Sequence, residues 1–247
     1  MGINDELITT KGNIATYLAQ PDTAPKGGII VVHEVWGLND HTKSIADRFA
    51  AEGYVALAPD LLSDTVNLDE ARKLQEALFD PKKRNEVQPK LRALMTPMHD
   101  PSFGELTLTR LRECFNHLYA MEDLNERIAI VGFCFGGTYS YTLAVNEPRL
   151  KLAVPFYGHN SYGVEDLKKI TCPVRAFYGE KDEGLISALP TLKQEMKEAG
   201  VDYEAKVYPD CGHAFFNDTN KFAYNQEAAT DAWKVTLEYL QKYVAQN

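Results

Sequence analysis

Apolar runs and amphipathic stretches alternate along this chain with the rhythm of strands and helices. Gly28-Ile29-Ile30-Val31-Val32 is apolar throughout, as a strand buried on both faces must be. A helical stretch follows with Ile45, Ala46 and Phe49 on one face, and Gly53 stops it. Tyr54 to Ala58 reads as the next strand, closed by Pro59-Asp60. Strand, helix, strand at this pitch predicts a parallel sheet. Upstream, Glu6 to Ala19 predicts two short strands around a hairpin turn at Lys11-Gly12-Asn13.

Between Leu68 and Asp100 the pattern is helical, broken by Pro81, Pro89 and Pro97, and basic at Lys82, Lys83, Arg84, Lys90 and Arg92. That segment reads as helices covering the sheet edge or a pocket. The alternation resumes with a helix from Pro101 to Ala120, with Asp100 as N-cap and proline at the first position. Strand Arg127 to Val131, a helix from Phe135, strand Leu152 to Phe156 and strand Val174 to Tyr178 follow. Helix Ser187 to Ala199 (ended by Gly200), strand Asp202 to Tyr208 and helix Asn225 to Val244 complete the series. No repeat or linker interrupts it, so one doubly wound α/β domain over residues 1–247 is expected, with a mostly parallel central sheet and helices on both faces.

Composition changes this picture little. Of 247 residues, 45% are hydrophobic, enough for a sizeable core, and the formal net charge of −9 argues against nucleic acid or an anionic membrane as partner. No run approaches the roughly 20 apolar residues that span a bilayer, and no secretory signal opens the chain. Four cysteines in a chain of this length make no disulfide framework. A soluble cytoplasmic protein is expected; oligomeric state is not readable.

Candidate chemistry sits where strands end. Gly132-Phe133-Cys134-Phe135-Gly136-Gly137 directly follows the strand Ile128 to Val131 and directly precedes a helix. A strand that turns abruptly into a helix needs small residues around the turning position. Cys134 would then project at a helix N-terminus, where the dipole favours a thiolate and backbone N–H groups face a developing oxyanion. A buried cysteine in a Gly-rich turn is the bland alternative, and by itself about as common. A nucleophile here needs a base and an orienting acid, in the chain order nucleophile, acid, histidine. Asp182 follows the strand ending at Tyr178, and His213 follows the strand ending at Tyr208. Three such residues in order, each at a strand's C-terminal end, are hard to reach by accident; Glu180 and Glu183 are fallback acids.

With these residues in view, the chain resembles the dienelactone hydrolase (carboxymethylenebutenolidase) family of the α/β-hydrolase superfamily. The likeness is carried by His33-Glu34-Val35-Trp36-Gly37-Leu38-Asn39, Gly53 to Asp60, Gly132 to Gly137, Tyr178 to Asp182 and Gly212-His213-Ala214-Phe215. The resemblance implies a Cys134-His213-Asp182 triad that hydrolyses a lactone or ester through a thioester, without a cofactor or metal. It assigns the oxyanion hole to the backbone N–H groups of Val35 and Phe135. It implies that Glu34 contacts the resting thiol and swings away when substrate binds, helping to generate the thiolate. The pair His33-Glu34 is no zinc-protease helix, because position 37 is glycine and the segment ends a strand.

The family holds its substrate's carboxylate with arginines, one just beyond the catalytic histidine. Here Ala214, Phe215, Phe216 and Asn217 occupy that stretch. Arg84 or Arg92 are the replacements to consider, and Trp36, Tyr157 and Phe216 are candidates to line the pocket of a more apolar small-molecule ester. Cys211, two residues before His213, suggests either a regulatory disulfide with Cys134 or simply a small loop residue. A broader carboxylesterase or thioesterase on the same triad, an acyltransferase, and a catalytically idle binding module are the competing functions. No Walker loop or dinucleotide fingerprint points to a nucleotide enzyme.

Overall fold

The continuous apolar runs become the centre of an eight-stranded sheet in the computed structural model, which describes residues 3–9, 14–79, 82–124 and 126–245. In chain order the elements are β1 (Ile3–Thr9), β2 (Ala15–Pro21), β3 (Gly28–Val32), α1 (Asp40–Ala51), β4 (Val55–Pro59), α2 (Leu68–Phe79), α3 (Arg84–Leu94) and α4 (Pro101–Tyr119). Then come β5 (Ile128–Phe133), α5 (Phe135–Asn146), β6 (Leu152–Phe156), α6 (Val164–Leu167), β7 (Val174–Gly179), α7 (Glu183–Ala199), β8 (Tyr203–Tyr208) and α8 (Gln226–Tyr243). The sheet order is β1-β2-β4-β3-β5-β6-β7-β8. Only the β1–β2 and β2–β4 pairings are antiparallel; from β4 to β8 the strands run parallel. The expected turn at Lys11-Gly12-Asn13 lies outside the described residues, although its two flanking strands pair as expected.

Side chains of the central strands divide by parity, as the pleat requires. Ile30 and Val32 of β3 and Ile128 and Ile130 of β5 pack on one face with Leu111, Phe115, Tyr141 and Met196 from α4, α5 and α7. Ile29 and Val31, with Ala129 and Val131, pack on the other with Ile45 and Phe49 of α1 and Ala232 and Leu240 of α8. The expected α/β architecture with helices on both faces is therefore the observed one. Among the described residues, no helix is long and apolar enough to cross a membrane.

Two departures from the sequence reading concern helices: one start and one short helix. α7 begins at Glu183, not Ser187, and runs through Pro190. Asp182 occupies its N-cap position but makes no side-chain cap bond, because its carboxylate is committed elsewhere. The four-residue α6 is too short for a periodic signal. For the site, the important feature is the reversal of strand order: the chain moves from β3 outward to β4, then returns to the other side of β3 as β5. Open α/β sheets build their clefts at the carboxyl ends of such a switch point, here just beyond Val32 and Phe133, with Val32 in register with Gly132.

Candidate active site

Glycines allow β5 to turn straight into α5. A Cβ on Gly132 would lie 2.0 Å from the Gly136 carbonyl oxygen, and one on Gly136 would lie 2.2 Å from that of Val32. Neither position admits any other residue without moving backbone. At the apex Cys134 takes φ 54° and ψ −108°, a left-handed conformation that costs a non-glycine residue about 1–3 kcal/mol and persists only where its surroundings enforce it. Three backbone bonds do so: Cys134 N–H to the Phe156 carbonyl (3.0 Å), Thr138 N–H to the Cys134 carbonyl (3.0 Å) and Gly136 N–H to the His33 carbonyl (3.1 Å).

The three residues singled out by chain order meet. His213 Nδ1 lies 2.5 Å from Asp182 Oδ2, and the same imidazole shares the cleft lining with Cys134, near enough for the sulfur's charge to act on it. The fallback acids are occupied otherwise: Glu180 accepts the Asp210 N–H at 3.0 Å, and Glu183 opens α7. Burial would lower the His213 pKa, but the Cys134 charge and the Asp182 hydrogen bond outweigh it and hold the pKa well above the ordinary value. The charged imidazolium is thus favoured between Asp182 and Cys134. The ring of Tyr157 packs against it at 5.0 Å.

Glu34 follows β3 and is buried, 6% exposed. Its Oε1 accepts the Tyr157 hydroxyl at 3.2 Å, and its Oε2 accepts Asn217 Nδ2 at 2.6 Å. Burial, followed by the charges of Glu34 and Cys134, pushes the Tyr157 phenol well above its usual range, so that hydroxyl stays a donor. No hydrogen bond joins Glu34 to Cys134 among the described residues, so the contact with the resting thiol that the resemblance implies is not made here.

The N–H groups of Val35 and Phe135 donate to no described group. Both residues border the cleft around Cys134. That cleft has two chambers meeting at Cys134, Val35 and His213. One, about 310 Å³, is lined by Trp36, Arg84, Leu91, Asn220 and Phe222; the other, about 580 Å³, by Met98, Phe135, Thr138, Tyr157, His159 and Leu185. Trp36 and Arg84 border the smaller chamber and Tyr157 the larger.

Phe216 and Arg92 border neither. Phe216 is buried among Phe133, Phe156 and Trp233, behind the site, because the backbone at Ala214 (φ 62°) turns the following aromatics into the core. Arg92 lies on an exposed side of α3 and lines neither chamber. Cys211 is a free thiol buried on the sheet face covered by α1 and α8, bordering neither chamber, and burial raises its pKa. Sequence reasoning missed Asn217, which is fully buried with its Oδ1 accepting the Thr219 N–H and hydroxyl, leaving its amide nitrogen for Glu34. A lone asparagine in a loop gives no signal of that role.

Fold and site together define an α/β-hydrolase: a cysteine on a strained strand-to-helix turn, with an aspartate and a histidine at the ends of later strands. Within that class the chain belongs to the dienelactone hydrolase family, whose profile matches residues 14–244. It is 32% identical to a provisionally assigned carboxymethylenebutenolidase of Saccharolobus solfataricus, over 93% of this chain and 94% of that protein. A provisionally assigned carboxymethylenebutenolidase of Yersinia pestis is 28% identical over 96% of this chain and 86% of the relative. The crystal structure of a provisionally assigned dienelactone hydrolase from Klebsiella pneumoniae superposes with a TM-score of 0.81 at 27% identity, covering 98% of this chain and 99% of that one.

Proposed function

We propose that this enzyme hydrolyses a carboxylic ester or lactone through a thioester on Cys134. The observation that carries this reading is the Asp182–His213 pair sharing one cleft with Cys134, at a tight turn beside two uncommitted amides. The Cys134 thiolate attacks the carbonyl carbon, and the tetrahedral oxyanion accepts hydrogen bonds from Val35 and Phe135 N–H. Collapse breaks the carbon–oxygen bond, and the departing alkoxide or enolate takes the proton of the His213 imidazolium. His213, now neutral, removes a proton from water, which attacks the thioester; the carbon–sulfur bond breaks and Cys134 leaves as thiolate beside the re-formed imidazolium. Asp182 holds the imidazole in the orientation and tautomer that this exchange requires.

A thiolate is a good leaving group, so the tetrahedral intermediate proceeds only when the competing oxygen is also a good one. Enol lactones and activated esters are therefore the favoured substrates, over amides. Glu34, held by the Tyr157 hydroxyl and Asn217, borders the smaller chamber beside Cys134. Arg84 at the wall of the smaller chamber favours a substrate with an anionic end, as in a dienelactone. The apolar share of both linings also suits a neutral ester, which keeps a broader carboxylesterase or thioesterase as the second reading.

Hydrolysis of a dienelactone and of p-nitrophenyl acetate, compared between the native chain and Cys134→Ala, tests the proposal. Turnover of both, lost on substitution, supports chemistry and substrate class together. Cleavage of the activated ester alone, still dependent on Cys134, removes the lactone. Rates that ignore Cys134 remove the mechanism.

A further inference from the structure

His33 is fully buried beside this site, and no step above uses it. Its ring has two partners of fixed polarity. Leu61 N–H can only donate, and it donates to Nε2 at 3.1 Å. The ring proton therefore sits on Nδ1, which donates to the Glu34 carbonyl oxygen at 2.6 Å. That oxygen also receives Gly37 N–H at 3.2 Å. It belongs to the peptide joining Glu34 to Val35, and in a trans peptide the C=O and the following N–H point in opposite directions. Fixing the oxygen toward His33 thus turns Val35 N–H away from it, on the residue that borders both chambers at Cys134.

The second amide is tied to the same residue. The His33 main-chain carbonyl accepts Gly136 N–H at 3.1 Å, one position beyond Phe135. The His33 ring stacks on that of Phe135 with centroids 5.5 Å apart and planes 6° from parallel. We propose that His33 is a positioning residue that orients both oxyanion-binding amides: Val35 through its ring, Phe135 through its carbonyl and the stack. This rests on the hydrolase reading above. Burial, against the opposing effect of the Glu34 bond, lowers the ring's pKa to about 4, so at neutral pH Nε2 stays an acceptor.

Two conservative variants separate the roles. In His33→Asn the amide nitrogen falls near the place of Nδ1 and can keep the bond to Glu34; in His33→Gln the side chain reaches the Nε2 position and serves Leu61 instead. For each, kcat and KM for p-nitrophenyl acetate are measured alongside the rate at which iodoacetamide alkylates Cys134. Alkylation displaces iodide at a saturated carbon and forms no oxyanion, so it reports the thiolate and the intact turn alone. Expected for His33→Gln is a kcat lower by roughly 10- to 100-fold, with KM and alkylation unchanged, while His33→Asn recovers most of kcat. Full activity in His33→Gln, an equal loss in both variants, or alkylation falling in step with kcat overturns the assignment. Hydrolysis that does not need Cys134 defeats the hydrolase reading itself, whereas Cys134-dependent hydrolysis indifferent to His33→Gln defeats this inference alone.

Discussion

The floor and the wall of the cleft are built differently. The floor, at the ends of β3 and β5, is backbone against backbone: glycines with no room for a methyl group, a strained Cys134, and a glutamate held from two sides. The wall, made by α3 and the loop before α8, combines exposed side chains such as Arg84 and Phe222 with buried Asn220. Val87 is the buried residue of α3, its N-cap Lys83 makes no side-chain cap bond, and Pro89 interrupts it. Phe222, 64% exposed, stands at the rim. The floor can hold reacting atoms within fractions of an ångström, while the wall can vary without disturbing them. On the proposed mechanism, chemistry falls to the floor and specificity to the wall.

Substitutions in the floor should have the largest effects. Cys134→Ala should lower kcat/KM by roughly 10³-fold or more with little change in the thermal midpoint. Gly132→Ala should disturb fold and activity together, destabilising by about 3 kcal/mol, as read by denaturant titration. Asp182→Asn should lower kcat by on the order of 10²- to 10⁴-fold and also change the pH dependence of stability. Because the folded His213 pKa lies above the unfolded one, the His213–Asp182 pair stabilises fully below the unfolded value of about 6.5 and loses its contribution as pH rises through the folded value. The gap in thermal midpoint between the native chain and Asp182→Asn should therefore narrow at alkaline pH; a gap that widens there contradicts the pairing.

Effects in the wall should be smaller and selective. Arg84→Ala should raise KM for an anionic lactone about tenfold and leave a neutral ester nearly unchanged, whereas Arg92→Ala should change neither. Equal effects of the two arginines would erase the distinction between floor and wall. Phe222→Ala should raise KM a few-fold for both substrates, roughly the loss of one apolar contact.

The same contrast explains what was legible in the sequence. A turn that tolerates only glycine around Cys134, and strands that end at Asp182 and His213, leave marks in residue type and order. So do the central strands, whose apolar runs reflect burial on both faces. Arg84 and Arg92 lie on the same short helix and look alike; only the packing of α3 shows which one borders the cleft. Phe215 and Phe216 lie two and three positions after His213, and a positive φ at the intervening Ala214 sends them into the core. Asn217 acts through a partner 183 positions away, a distance at which local pattern is silent.

The most direct test is to mix the enzyme with p-nitrophenyl acetate, quench in acid within the first turnover, and measure intact and peptide masses. A single acetyl group on the peptide carrying Cys134, absent in Cys134→Ala and decaying at the steady-state rate, is expected. Rapid hydrolysis with no acyl group on Cys134, or with the group on another residue, would contradict covalent catalysis at this turn.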